Sequence, residues 1–176
     1  NPTNLGGVLQ NAYAIYNDMG FGNVGAGSVT INYAGWNTGT DARAEIRLGD
    51  ENGELVGTVS IPQTSTMQGA VHWSQYTTVT AELDQVITGD QDICVVFRGS
   101  GTHVANVKYL RFQYADPDAA LEEALEMAAG VDRTDKTAES LAALDQAIQD
   151  AEALLEAGEM TETQMQDAIR ALEDAI

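Results

Sequence analysis

Cysteine, histidine, proline and basic residues are all scarce in this 176-residue chain, and each scarcity removes a class of function. A single cysteine, Cys94, allows no intramolecular disulfide and no multi-cysteine zinc site. It lies in the apolar run Ile93–Phe97, where a buried structural thiol is the expectation rather than a nucleophile. The two histidines, His72 and His103, have no metal-ligand spacing and read as loop residues. Eight basic against 27 acidic side chains give a net charge of −19. Such a field repels phosphate, so neither nucleic acid nor an anionic membrane is an expected partner. No apolar run approaches the ~18 residues of a membrane span. The chain does not begin with Met and ends inside a helical pattern, so a soluble piece of a longer protein is expected.

Aromatics are absent after Tyr114, and glycine nearly so, with only Gly130 and Gly158 beyond Asp116. Charge divides at the same place: residues 1–116 carry 11 acids and 5 bases, residues 117–176 carry 16 and 3. Asp116-Pro117 is therefore the expected boundary, since proline cannot continue a strand ladder but suits a first helical turn. The first part alternates with period two. Val29, Ile31 and Tyr33 face one way and Ser28, Thr30 and Asn32 the other; Ala44, Ile46 and Leu48 do the same. Asn52-Gly53 predicts a hairpin turn with positive φ angles. Further strands are expected over Leu55–Ile61, Tyr76–Leu83, Asp92–Phe97 and Val107–Tyr114. About seven short strands without intervening helices predict an all-β sandwich.

The second part has helical spacing. Leu121, Leu125 and Ala128 mark a first helix ended by Gly130. Thr137 is the expected N-cap of a second helix that stops at Gly158. Thr161-Glu162-Thr163-Gln164 has capping-box spacing and opens a third. Three short helices, each with one apolar stripe, predict a small all-α bundle.

Patterns that would signal catalysis fail on their context. Gly20-Phe21-Gly22-Asn23-Val24-Gly25 spells a dinucleotide fingerprint, but a strand pattern follows where a helix is required. Asp50, Asn52 and Glu54 open like a calcium loop, but Leu55 and Ile61 stand where its glycine and closing glutamate belong. No GxSxG elbow and no paired-carboxylate arrangement is legible, so no catalytic residue is expected.

Five words in order give the first part a resemblance. They are Tyr16–Gly22, the hairpin Ala44–Val59, Trp73-Ser74-Gln75-Tyr76-Thr77-Thr78-Val79, Thr88–Phe97, and Asn106-Val107-Lys108-Tyr109-Leu110-Arg111-Phe112. From Gly7 to Phe112 the chain resembles the family 6 carbohydrate-binding modules. The resemblance implies a jelly-roll sandwich appended to a secreted glycoside hydrolase, binding polysaccharide or glycan without catalysis. It carries a sugar-stacking Trp to Trp73 and a hydrogen-bonding Asn to Asn106. The family's second ring, a Tyr, falls near Val8, so the second wall is either missing or supplied by Trp36 or Tyr13. The loop Gln63–His72 is longer than the family's. The resemblance allows for a structural calcium, with Asp116 the one candidate ligand, and implies no other cofactor. Residues 117–176 resemble a FIVAR-type spacer module through Lys136–Leu141, Leu144–Ile148 and Leu172–Ile176.

The expected architecture is thus a jelly-roll sandwich over 1–116 and a three-helix bundle over 117–176. The expected setting is a bacterial extracellular or cell-surface protein with a covalently linked catalytic domain outside this chain. The alternative is a structural or adhesive spacer with no working sugar site.

Overall fold

A computed structural model describes residues 5–35, 38–64, 73–158 and 160–176. It divides into two compact units, Asn1–Ala115 and Asp116–Ile176. The first is built of eight antiparallel strands: β1 (Leu5–Val8), β2 (Tyr13–Gly20), β3 (Ala26–Ala34), β4 (Arg43–Leu48), β5 (Leu55–Ser60), β6 (Thr77–Ile87), β7 (Asp90–Arg98) and β8 (Ala105–Tyr114). Their order is β1-β8-β3-β6-β5-β4-β7-β2. Strand β6 pairs with β3 along Thr77–Glu82 and meets β5 through the single pair Leu83 and Gly57. It therefore joins two four-stranded layers, β1-β8-β3-β6 and β5-β4-β7-β2, into one curled sheet folded on itself.

The alternation in the sequence becomes the two faces of each layer. Val29, Ile31 and Tyr33 of β3, Ala44 and Ile46 of β4, and Ile93, Val95 and Phe97 of β7 meet in one core. The hydroxyl of Tyr33 donates to the Pro62 carbonyl at 2.9 Å, so the largest buried side chain has no orphaned polar atom. Burial pushes that phenol up to about 12. The loop end of β3 thereby holds the segment that follows β5.

Strands β1 and β2 escape the alternation. Most of β2 is exposed, so its apolar residues follow no inward period. The hairpin between β4 and β5 forms as expected, with the Asn52 amide on Asp50 Oδ1 at 2.8 Å. Its left-handed residue, however, is Gly49 at φ 80°, not Asn52 or Gly53. Gly53 is required for another reason: a Cβ there would stand 1.7 Å from the Leu48 carbonyl oxygen.

The outward face of β4 and β7 carries a charge cluster. Glu45 is 6% exposed and accepts hydrogen bonds from Arg43 and Arg47 on its own strand and Arg98 on β7, at 2.9–3.3 Å. Burial alone would raise the Glu45 carboxyl, but the bonds from Arg47, Arg98 and Arg43 outweigh it and hold it below the usual carboxylate range. Cys94, beside Arg47 in the β4–β7 register, is buried, and desolvation raises its thiol.

The second unit contains α1 (Pro117–Ala129), α2 (Ala138–Ala157) and α3 (Glu162–Ala175), which pack pairwise. Asp116, Thr137 and Thr161 are the N-caps, and Thr161 with Gln164 forms the full capping box. Gly158 ends α2 in the left-handed region, whereas Gly130 closes α1 with ordinary helical angles. Leu121, Ala128, Leu144, Ala151, Met165 and Leu172 fill the space between the helices. No helix among the described residues is long and apolar enough to cross a membrane.

Two outcomes are expected. Glu45→Gln leaves three guanidiniums without their carboxylate and lowers stability in urea by about 2 kcal/mol. This is less than the roughly 3–5 of a fully buried pair, because the arginines keep water contact. Because the folded carboxyl titrates below its unfolded value of about 4.3, its contribution is present above that pH and lost as pH falls through the folded value. The acid limb of the parent's stability curve should flatten in the variant. Secondly, Cys94 should resist a thiol reagent in native buffer at pH 8 and react stoichiometrically in guanidinium.

Candidate functional site

The described parts of four connections gather at one end of the sandwich: residues 9–12, 35 with 38–42, 61–64 with 73–76, and 99–104, each leading between the strands just described. Two of them are fastened together. The Ser100 hydroxyl and amide donate to Asp41 Oδ1 at 2.6 and 2.9 Å, and these bonds hold the Asp41 carboxyl below its usual range. Beside them lies an open cleft of about 450 Å³, lined by Gly39, Thr40, Ala42, Ser60, Pro62 and Gln63.

Asn106 sits at the start of β8 at this end. Leu5 pairs with Val107 and Val8 with Ala105, so three steps on β1 oppose two on β8 and the ladder bulges at Gly6-Gly7. Gly7 adopts φ 65°, which glycine alone takes without strain. Its N–H donates to Asn106 Oδ1 at 2.6 Å, a side-chain acceptor replacing the missing ladder partner. Asn106 Nδ2 donates to the Trp73 carbonyl at 3.3 Å. One amide therefore ties edge strand β1 to the segment that carries Trp73. An amide has two donors and two acceptor lone pairs, and these bonds use one of each.

Trp73 is partly exposed, and its ring packs edge-to-face against His103, with centroids 5.5 Å apart and planes at 76°. Three residues on, Tyr76 lies under the Lys108 ammonium at 5.8 Å, and Lys108 is two positions from Asn106 on β8. The end of the β1-β8-β3-β6 layer is thus an aromatic and amide surface with polar groups beside it.

Of the residues named from the sequence, Trp73 and Asn106 are joined by the hydrogen bond from Asn106 Nδ2 to the Trp73 carbonyl. Val8 is 4% exposed and belongs to the core, so the position where the resemblance places a ring faces inward. Tyr13, 51% exposed, stands on β2 opposite Val96, in the layer that does not hold Asn106. Trp36 and His72 lie outside the described residues, as does most of the long loop before Trp73. His103 was legible only as a loop residue; its place three residues before Asn106, in a loop leading into β8, is the signal that could have marked it.

Asp116 spends Oδ1 on the Ala119 amide at 3.1 Å as the cap of α1. No group of three or more His, Cys, Asp or Glu side chains that could hold a metal forms among the described residues. Asp116 therefore serves as a helix cap with one carboxylate oxygen engaged.

A family model described as carbohydrate binding module (family 6) matches residues 1–114. The chain belongs to that family. It is a family of non-catalytic binding modules, and this chain's sandwich is one of them. Endo-1,4-beta-xylanase A of Thermoclostridium stercorarium is 35% identical over 111 residues, which is 62% of this chain and 15% of the xylanase. A Clostridium stercorarium family 6 module solved with cellobiose is 26% identical at a TM-score of 0.51, covering 65% of this chain and 85% of that one. A Clostridium cellulolyticum module solved with xylose is 28% identical at 0.50, covering 60% and 74%. The fold the sequence implied, a β-sandwich followed by three helices, is the fold found.

Asn106→Ala should cost about 1–2 kcal/mol of stability in urea, because it leaves the Gly7 amide and the Trp73 carbonyl without their partner. Amide exchange at Gly7 should accelerate in the same variant.

Proposed function

We propose that this module binds β-linked polysaccharide through Trp73 and Asn106 and thereby holds a larger secreted glycoside hydrolase on its substrate. The observation that carries the reading is the direct hydrogen bond from Asn106 to the Trp73 backbone. It ties the amide to the backbone of the residue that carries a partly exposed indole, which supports a shared site at the loop end of the sandwich. An indole face packs on the C–H face of a pyranose, and the amide has a donor and an acceptor for neighbouring hydroxyls. The sugars carried by the relatives, cellobiose in one and xylose in another, support β-linked glucan or xylan as the ligand class.

Nothing in this role needs bond breaking. A tethered catalytic domain would meet its substrate at an effective concentration on the order of millimolar for a short linker. The parent would be a bacterial extracellular or cell-surface enzyme, and the helical unit a FIVAR-like spacer carrying no site. A second reading is favoured by Val8: with that position turned into the core, the sandwich would be a spacer whose sugar site has been lost.

Titration of the 176-residue chain with xylohexaose and cellohexaose, followed by tryptophan fluorescence, separates the two. Saturable binding that Trp73→Ala reduces at least twentyfold, with an unchanged thermal transition of the sandwich, is the expected result. Full affinity in Trp73→Ala would sink the site. Silence of the parent toward both sugars and across a glycan array would favour the spacer.

A further inference from the structure

A sugar held between two parallel rings needs them about 7–8 Å apart, two carbon contacts in succession. Among the described residues no such pair stands in the expected place, since Val8 is buried and Tyr13 stands in the other layer. What occupies the neighbourhood of Val8 is the 99–104 loop. The Val104 N–H donates to the Val8 carbonyl at 2.7 Å, and Val104 and Ala105 are fully buried. His103, the residue before this anchor, is therefore presented from the backbone adjoining Val8. Its imidazole meets the Trp73 indole at 5.5 Å and 76°. These two rings form a corner, too close and too nearly perpendicular for a sandwich.

Resting on the reading of Trp73 as a sugar platform, we propose that His103 is the second wall of the site and one of its hydrogen-bonding groups. A pyranose has two C–H faces and a rim of hydroxyls. With one face on the indole, its rim meets a surface set at nearly a right angle, which is where the imidazole stands. A neutral imidazole provides one N–H donor and one lone pair, matching a hydroxyl in either sense. Asn106 has already given one donor and one acceptor to the Trp73 carbonyl and the Gly7 amide. Recognition of the hydroxyl rim is accordingly divided between Asn106 and His103. Among the described residues, the corner covers a single face of the ring.

The test uses the 176-residue chain with xylohexaose or cellohexaose. The protein has two histidines, so a His72→Ala variant assigns the ring protons of His103 without ambiguity. Intermolecular NOEs from sugar C–H to the His103 ring, with a fivefold or larger loss of affinity in His103→Ala and no change in its thermal transition, are expected. His103→Phe keeps a wall but no hydrogen bond and should fall between parent and His103→Ala. If His103→Ala binds as the parent does while Trp73→Ala fails, His103 has no such role and the Trp73 reading stands. Weaker binding in His103→Ala without any NOE in the parent would make His103 structural and overturn the proposal. If the parent binds neither sugar, the Trp73 reading falls and His103 with it.

Discussion

The site end of the sandwich depends on one side-chain amide. Asn106 substitutes for a ladder partner that the bulged β1 lacks and holds the carbonyl of the residue whose ring is the exposed aromatic. Both functions follow from its place at the first outward position of β8, where the sheet stops and the loops begin. An aspartate of similar size could accept from Gly7 but could not donate to Trp73; a leucine could do neither. The same residue thus sets the edge of the fold and the position of the platform. On the proposed reading of the site, recognition is not separable from the architecture beneath it.

Much of the fold could be read in the chain because its faces differ in solvent contact. Strands β3, β4 and β7 pass through the middle of their layers, and their inward residues had to be apolar at every second position. The helices were legible for a related reason: Thr137, Thr161 and Gly158 punctuate amphipathic runs. Strands β1 and β2 lie at the sheet edges, where one neighbour and open water impose no such period. In the hairpin turn the expected residues were present but the left-handed angle fell on Gly49, because a turn has several ways to reverse the chain. Of the site, Trp73 and Asn106 could be carried over from related words in the sequence. His103 could not, since its meaning lies in a contact across thirty residues and in the backbone bond beside it.

Charge is handled differently in the two units. In the sandwich, three of the five basic groups converge on Glu45, so that a carboxylate on a buried face is met by an excess of guanidinium. That cluster links β4 to β7 on the outside of the layer while the apolar residues link them on the inside. The helices put acids in their first turns, Asp118, Glu139 and Glu162, where the positive ends of the helix dipoles receive them.

Strand β1 runs toward the Trp73 end and β8 runs away from it; Leu5 lies beside Val107, still near that end, whereas Tyr114 lies at the opposite end of the sandwich. A pull applied at the Trp73 platform and resisted at Tyr114 would travel lengthwise down β8, which is flanked by β1 on one side and β3 on the other. Under that geometry the hydrogen bonds between β8 and β3 share the load in shear. A pull on Leu5 at right angles to the strands, away from β8, would instead open the short β1 ladder one bond at a time. The module is therefore mechanically anisotropic, strong along β8 and weak across β1.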